Sequence, residues 1–230
     1  MARAILELAL QPMAEHPVEL EPQRVLGSPP GGPLVRRMSL GEPILARLDR
    51  PADERDAIDN HVRDRLATHE FYELHLVMTL HPQADEPFED AALGVSLTAL
   101  DGGEPPIAWS LFPLRATVPV TVTHSIGVNA KLGFVEPSAT HSTELSSDQV
   151  SMLGLGERES DFEWRLRRTK AAELSGVQRM FAVVMARKGA PFQAKMIVSA
   201  SVRRARLGLA RFRANLPDNV SLSISHHGTE

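Results

Sequence analysis

The chain has 230 residues, of which 43% are hydrophobic, and a formal net charge of -4 at pH 7. That hydrophobic fraction is enough to bury a core, which excludes a wholly disordered chain. The chain contains no cysteine, so disulfides, thiolate zinc sites and cysteine nucleophiles are excluded.

The charge is unevenly distributed along the chain. Residues 1–149 hold 11 basic and 22 acidic side chains, whereas residues 150–230 hold 14 and 7. A chain with an acidic N-terminal part and a basic C-terminal part can attract copies of itself or an oppositely charged partner. Alternatively, both halves fold into one body and the charges intermix on its surface.

Residues 10–52 are rich in proline and glycine. Proline removes backbone donors and fixes φ, so we expect neither a central strand nor a long helix there. We predict an extended N-terminal arm over residues 1–52 and a single domain over residues 53–230. No stretch approaches the length of a spanning helix, no secretory signal is evident, and basic residues are mostly Arg. These features indicate a bacterial, cytoplasmic protein.

The first periodic segment predicts one short helix over residues 53–68. Ile58, Val62 and Leu66 are spaced four residues apart, and Asp53 can cap the start. Acidic residues in the first turn suit the helix dipole.

From residue 70 the period changes to two, which predicts strands. Hairpins are expected over residues 92–114 and around a turn at residues 188–191. We predict a mainly β fold, an antiparallel sandwich of seven to nine strands, because helices do not alternate with the strands. The polar residues 136–160 predict a long loop, which would be mobile or functional.

The cluster of Glu73, His75 and His81 is a candidate metal site. Glu73 and His75 project from one face of a strand, and His81 could continue that line. Imidazole and carboxylate groups can bind zinc or another divalent ion. The alternative is the polar outer face of a half-buried strand, and we expect no cofactor.

Catalytic motifs are scarce, so we expect binding rather than an enzyme. No serine lies in a Gly-x-Ser-x-Gly elbow. Gly154 and Gly156 suggest a phosphate loop, but the acidic segment that follows would repel phosphate.

Basic residues concentrate in two strands near the C-terminus and are candidates for partner binding. Guanidinium groups pair well with carboxylates and phosphates. A protein surface is favoured over nucleic acid because aromatic residues are only 5% of an acidic chain. The alternative is an edge strand protected by charge. The candidates are Arg165, Arg167, Arg168, Arg203, Arg204, Arg206, Arg211 and Arg213.

The leading hypothesis is a non-enzymatic β-sandwich interaction or assembly module that binds itself, as a homo-oligomer, or a partner protein through its N-terminal arm and its Arg-rich strands. One alternative is a metal-dependent enzyme or binder around Glu73 and His75. Another is a membrane-active, pore-forming effector, since residues 117–134 and 192–202 alternate as an inserting hairpin would.

Overall fold

The computed structural model describes residues 15–22, 33–48, 65–125, 142–204, 208–215 and 222–224. These residues form a mainly β structure with two antiparallel sheets. Within these ranges, no helix has the length and hydropathy needed to cross a membrane.

The described residues contain thirteen strands. In chain order they are β1 (Glu15–Pro22), β2 (Leu34–Gly41), β3 (Ile44–Arg47), β4 (His69–Leu80), β5 (Phe88–Ala99), β6 (Ile107–Phe112), β7 (Arg115–Ser125), β8 (Ser142–Leu155), β9 (Asp161–Arg167), β10 (Gly176–Arg187), β11 (Phe192–Arg204), β12 (Gly208–Asn215) and β13 (Leu222–Ile224).

The strands form two sheets that share β1. The first sheet has the order β6-β10-β4-β2-β1, with β3 also paired to β4. The second has the order β12-β11-β5-β9-β8-β7, with β13 also paired to β11. Most of β1 pairs with β2, but Glu21 and Pro22 pair with β12, so β1 passes from one sheet to the other.

One hydrophobic core joins the two sheets. In β4 the alternating residues from Tyr72 to Leu80 are buried, as the period of two predicted. Leu93 in β5 and Trp164 in β9 belong to the second sheet. Both are fully buried and are part of the same hydrophobic core cluster. Tyr72 and Phe192 meet edge to face, with ring centroids 5.5 Å apart. The inner faces of both sheets therefore contribute to a common core.

The predicted strand count and the role of the N-terminal prolines are corrected. Within the described ranges the proline-rich region contains three strands, β1 to β3, and residues 53–230 contain ten, where seven to nine were expected. The expectation that this region cannot supply a central strand is wrong, since β1 pairs with β2 and with β12. A β-bulge between Val18 and Leu20 interrupts the β1–β2 ladder, as is common where a strand changes partner.

Both predicted hairpins are wrong. β5 pairs with β11 and β9, whereas β6 pairs with β10 in the other sheet. Likewise β10 pairs with β4 and β6, and β11 pairs with β5, β12 and β13. The turns at residues 100–106 and 188–191 therefore link the sheets rather than close hairpins, a difference that strand periodicity does not encode.

The predicted polar loop is also corrected. Residues 142–155 form β8, whose polar side chains are compatible with a strand that has few neighbours. Residues 136–141 lie outside the described residues, as do residues 51–64, which include most of the predicted helix.

A cluster of three polar side chains lies where β3 pairs with β4. The Tyr72 hydroxyl donates a hydrogen bond to the Glu70 carboxylate at 2.8 Å, and Arg47 pairs with the other carboxylate oxygen at 3.0 Å. Burial raises the pKa of Tyr72 well above its ordinary value, and the hydrogen bond to Glu70 and the negative charge of Glu70 raise it further. Arg47 opposes this shift only in part.

Because Tyr72 is the single tyrosine of the chain, its phenolate absorbance can be followed directly. In the unfolded chain the phenol ionises near pH 10. We expect the folded protein to show no phenolate at that pH, and its free energy of unfolding to fall as the pH rises further, since only the unfolded state loses the proton. Absorbance titration of folded and urea-unfolded protein tests this, and a transition near pH 10 in both would contradict the buried assignment.

Candidate functional site: a projecting ribbon and an outer groove

The β7–β8 hairpin extends beyond the second sheet. The two strands pair from Arg115 and Leu153 at the base to Ser125 and Ser142. In contrast, β8 pairs with β9 only from Met152 to Leu155. Residues 117–125 and 142–150 therefore form a two-stranded segment, here called the ribbon, which has no third strand among the described residues. Nine residues per strand give it a length of about 30 Å.

The base of the ribbon contains a change of register. The β7–β8 ladder shifts between Ala116 and Thr117, and the Ser151 hydroxyl donates a hydrogen bond to the Ala116 carbonyl at 3.3 Å. Such a bulge bends a strand and increases its local twist. It lies where β8 leaves β9. Beyond it, the Lys170 backbone amide contacts the Gln149 side chain at 3.1 Å.

The register divides the ribbon residues into two sets. Ala116 pairs with buried Met152 at the base, and the set that continues this face contains three β7 valines and their partners on β8. It comprises Val118, Val120 and Val122, opposite Gln149, Ser147 and Leu145. None of these six residues is charged.

The other set continues the outer face of the sheet. Thr117 and Pro119 in it are exposed, and Pro119 pairs with exposed Asp148. Glu144 occupies the same set because it is four residues from Asp148 and pairs with Thr123. Glu144 and Asp148 are the only Asp, Glu, Lys or Arg residues in the sequence of the ribbon, and the side chain of Asp148 is exposed.

Pro119 protects the open edge of the ribbon. A proline is tolerated on an edge strand when the donor that it lacks would point away from the neighbouring strand. The backbone N–H groups of residues two positions apart point to the same side. The open edge of β7 thus has a donor at Thr121 and none at Pro119.

The outer face of the second sheet contains a groove of about 730 Å³, here called the outer groove. Its floor includes the small side chains of Ala92 and Ser199, and Arg165 and Arg167 of β9 line one side. Arg165 is 65% exposed and donates to the Glu163 carboxylate at 2.7 Å. Arg167 is exposed and forms no ion pair with another described residue.

The strand register places arginine positions on both sides of this floor, but for Arg211 and Arg213 on β12 only the backbone is described. Arg165 pairs with Ala92, which pairs with Ser199, which pairs in turn with Arg213. In the next row Arg167 pairs with Asp90, Asp90 with Ser201, and Ser201 with Arg211. Asp90 accepts a hydrogen bond from the Ser201 hydroxyl, so part of its hydrogen-bonding capacity is used within the sheet.

The remaining candidate arginines are not equivalent to these. Arg168 and Arg203 both contact the Glu89 carboxylate, each at 3.0 Å. A shared carboxylate fixes both guanidinium groups at the end of the sheet, away from the floor of the outer groove. Arg206 lies outside the described residues, and for Arg204 only the backbone is described.

The metal candidates are brought together only in part. The His75 Nε2 and Glu73 Oε2 atoms lie 3.0 Å apart on the outer face of the first sheet. β4 ends at Leu80, and the His81 backbone amide donates to the Arg37 carbonyl at 2.8 Å. Within the described ranges, no three His, Asp or Glu residues are arranged to hold a metal ion.

An exposed row of rings crosses the first sheet and was missed by sequence reasoning. Phe112, Phe181 and His75 occupy aligned positions on β6, β10 and β4. The two phenyl rings stack at 4.7 Å, and Phe181 stacks on His75 at 5.7 Å. Phe112 is 52% exposed. Only the pairing of three strands that are distant in sequence reveals the row.

The acidic residues of the ribbon were also missed, because their segment was interpreted as a loop. One signal was available in the sequence. The alternation in residues 117–134 requires a partner strand of similar length, and the only following segment of that kind before β9 is residues 142–155.

The other predicted inserting segment, residues 192–202, behaves differently. It belongs to β11, which pairs with β5 on one side and with β12 and β13 on the other. Its alternation is that of a sheet strand with one face buried in the core.

No protein-family model matches the chain, and no curated protein matches it. Among solved structures, the chain is similar to the Clostridium perfringens NetB toxin in its membrane-inserted form. The alignment covers 88% of this chain and 92% of the toxin chain, with 7% sequence identity and a TM-score of 0.31. A similarity at this level supports no conclusion about fold or function.

The turn from β8 to β9 depends on Gly156, which has a φ of +86°. A Cβ at this position would lie 2.3 Å from the Asp161 carbonyl oxygen. Gly102 has a similar φ of +72°, but a Cβ there would have nothing within 4 Å. An alanine at Gly102 would therefore meet only the strain of a positive φ, whereas an alanine at Gly156 would meet that strain and a steric overlap.

We expect Gly156→Ala to reduce the free energy of unfolding by at least about 1 kcal/mol more than Gly102→Ala does, because overlap adds to the strain of a positive φ. Urea denaturation of both variants measures the difference. Equal losses would show that the β8–β9 turn is not fixed as described.

Proposed function

We propose that this protein is a non-enzymatic assembly module, built as a β-sandwich, whose copies associate through the ribbon. The observation that carries the proposal is the ribbon itself, in which nine residue pairs extend beyond the β8–β9 pairing and have no third strand among the residues that the structure describes. An isolated two-stranded hairpin is at best marginally stable in water.

The open edges of the ribbon favour another strand as the partner. Unpaired N–H and C=O groups along an edge can pair with a strand of another chain. A second ribbon has the same length and the same polarity pattern, so β7 of one copy can pair with β8 of the next. Pro119 removes one donor from this edge and so limits uncontrolled association.

The charge distribution also supports association between copies. The ribbon is acidic, whereas the chain from residue 150 onward has a basic excess. Opposite charges on different parts of one chain favour contacts between copies. A homo-oligomer is therefore proposed ahead of a different protein partner, and a cytoplasmic location stays a prediction.

Substitutions that remove or restore a backbone N–H donor on the open edge of β7 test the proposal directly. Thr121→Pro removes a second donor from the open edge of β7 while leaving the β7–β8 ladder intact, so we expect it to weaken association. Pro119→Thr restores a donor and should strengthen it. Light scattering over a range of protein concentrations measures both effects, and Thr121→Val, which retains the backbone donor, is the matched control.

Two results would contradict the assembly proposal. One is a monomeric wild-type protein at every soluble concentration and at both low and high salt. The other is association of Thr121→Pro that equals that of the wild type and of Thr121→Val.

A membrane-active, pore-forming effector is the second candidate function, favoured by the uncharged face of the ribbon. Val118, Val120 and Val122 alternate with threonines and a proline, and a membrane-spanning strand needs about 9–11 residues of such alternation. The sequence continues the pattern to Phe134. Assembled ribbons would present this face to lipid.

For this candidate we expect the wild-type protein to release dye from vesicles of phosphatidylcholine and phosphatidylserine. Val120→Lys places a charge on the uncharged face and should abolish release, since a lysine facing lipid costs about 2–4 kcal/mol at mid-membrane. Thr121→Lys places the same charge on the opposite face and should retain most of it. Absence of release by the wild type, or equal loss in both variants, would contradict membrane insertion by the ribbon.

A further inference from the structure

The segment that connects β9 to β10, residues 168–175, lies at the end of the sandwich from which the ribbon projects and is here called the link. It leaves β9 of the second sheet after Arg167 and enters β10 of the first sheet at Gly176. β8 leaves β9 at the same end, because Met152 pairs with Leu166 and the ribbon residues precede Met152 in β8. The link therefore crosses from one sheet to the other beside the base of the ribbon.

Both ends of the link are anchored to the sandwich. The Arg168 backbone amide donates to the Glu89 carbonyl at 2.9 Å, and the Arg168 guanidinium donates to the Glu89 carboxylate at 3.0 Å. At the other end, Leu174 is buried and belongs to the hydrophobic core. Between them, the Ala172 amide donates to the hydroxyl of buried Thr169 at 3.0 Å. These contacts hold the link against the end of the sandwich.

The link contacts the ribbon on its uncharged face. The Lys170 backbone amide donates to the Gln149 side-chain oxygen at 3.1 Å, and Gln149 pairs with Val118 on that face. Gln149 and Val118 are half-buried, whereas Pro119 and Asp148 on the opposite face are exposed. The base of the ribbon is therefore less accessible to water on the face that carries the valines.

We propose that the link retains the base of the ribbon through Gln149 and so slows the transfer of the uncharged face to lipid. The inference rests on membrane insertion by the ribbon, the second candidate function, and adds a release step to it. Val118 cannot face lipid while its neighbour Gln149 stays on the Lys170 amide, so this hydrogen bond must break first. One hydrogen bond of ordinary strength changes an equilibrium by about threefold to tenfold, which slows release without preventing it.

Amide exchange of Lys170 tests the contact in the protein alone. Gln149→Ala removes the acceptor, so we expect the Lys170 amide to exchange about threefold to tenfold faster than in the wild type. Gln149→Glu keeps an acceptor oxygen at the same position and should restore much of the protection. Asp148→Ala, one residue away on the exposed face, is the matched control and should leave the exchange rate unchanged.

Dye release from vesicles of phosphatidylcholine and phosphatidylserine tests the release step. We expect Gln149→Ala to shorten the delay before release by about threefold to tenfold, while Asp148→Ala behaves like the wild type. Because the chain has no cysteine, Gln149→Cys with Lys170→Cys gives a unique pair that a short reducible crosslinker can join. The crosslinked protein should release no dye until a reductant is added. Each single cysteine variant, treated with the same reagent, should release dye.

The outcomes separate the contact from its role in insertion. Unchanged exchange of the Lys170 amide in Gln149→Ala would show that Gln149 does not hold the ribbon to the link, and the inference would be wrong. Faster exchange with an unchanged delay, or full release by the crosslinked protein, would overturn the control of insertion. If the wild type releases no dye, the second candidate function fails and control of insertion fails with it, whereas Lys170 exchange still decides whether the link retains the ribbon.

Discussion

The end of β9 at Arg167 is the constraint on which the functional account depends. Up to that point β8 pairs with β7 and β9, and beyond it β7 is the only strand paired with β8 in the part of the chain that the structure describes. The same two strands therefore contribute to the core at Met152 and become a free ribbon past the bulge at Ala116 and Thr117. A strand pair without neighbours is marginally stable and has open edges. Both the proposed association and the proposed insertion follow from this single loss of a neighbour.

The core supplies the rigid base for the ribbon. Trp164 is fully buried, and its indole N–H donates to the Pro113 carbonyl at 3.2 Å, which ties β9 to the segment entering β7. The Gly154 amide donates to the Leu114 carbonyl at 2.9 Å close by. These two hydrogen bonds connect the base of the hairpin to the sheet.

The sequence predicts the strands and their buried faces better than their partners. Tyr72, Leu74 and Leu76 alternate with period two because one face is buried, and this local pattern is sufficient to identify it. Pairing is not local. β10 and β11 are separated by a four-residue turn, yet they lie in different sheets. The arginines of the outer groove were identifiable by composition, but their alignment across Ala92 and Ser199 depends on the register of four strands. The polar residues of β8 predict a loop because polarity in a strand with few neighbours resembles polarity in a loop.

In the proposed assembly, the strands of the ribbon pair with strands of another copy of the chain. Backbone hydrogen exchange, measured at low and at high protein concentration, tests it most directly. The account predicts that amides of residues 117–125 and 142–150 exchange rapidly in dilute protein and become protected at high concentration, while the amides of β5 are protected equally in both. Ribbon amides with the same protection at every concentration would contradict the account.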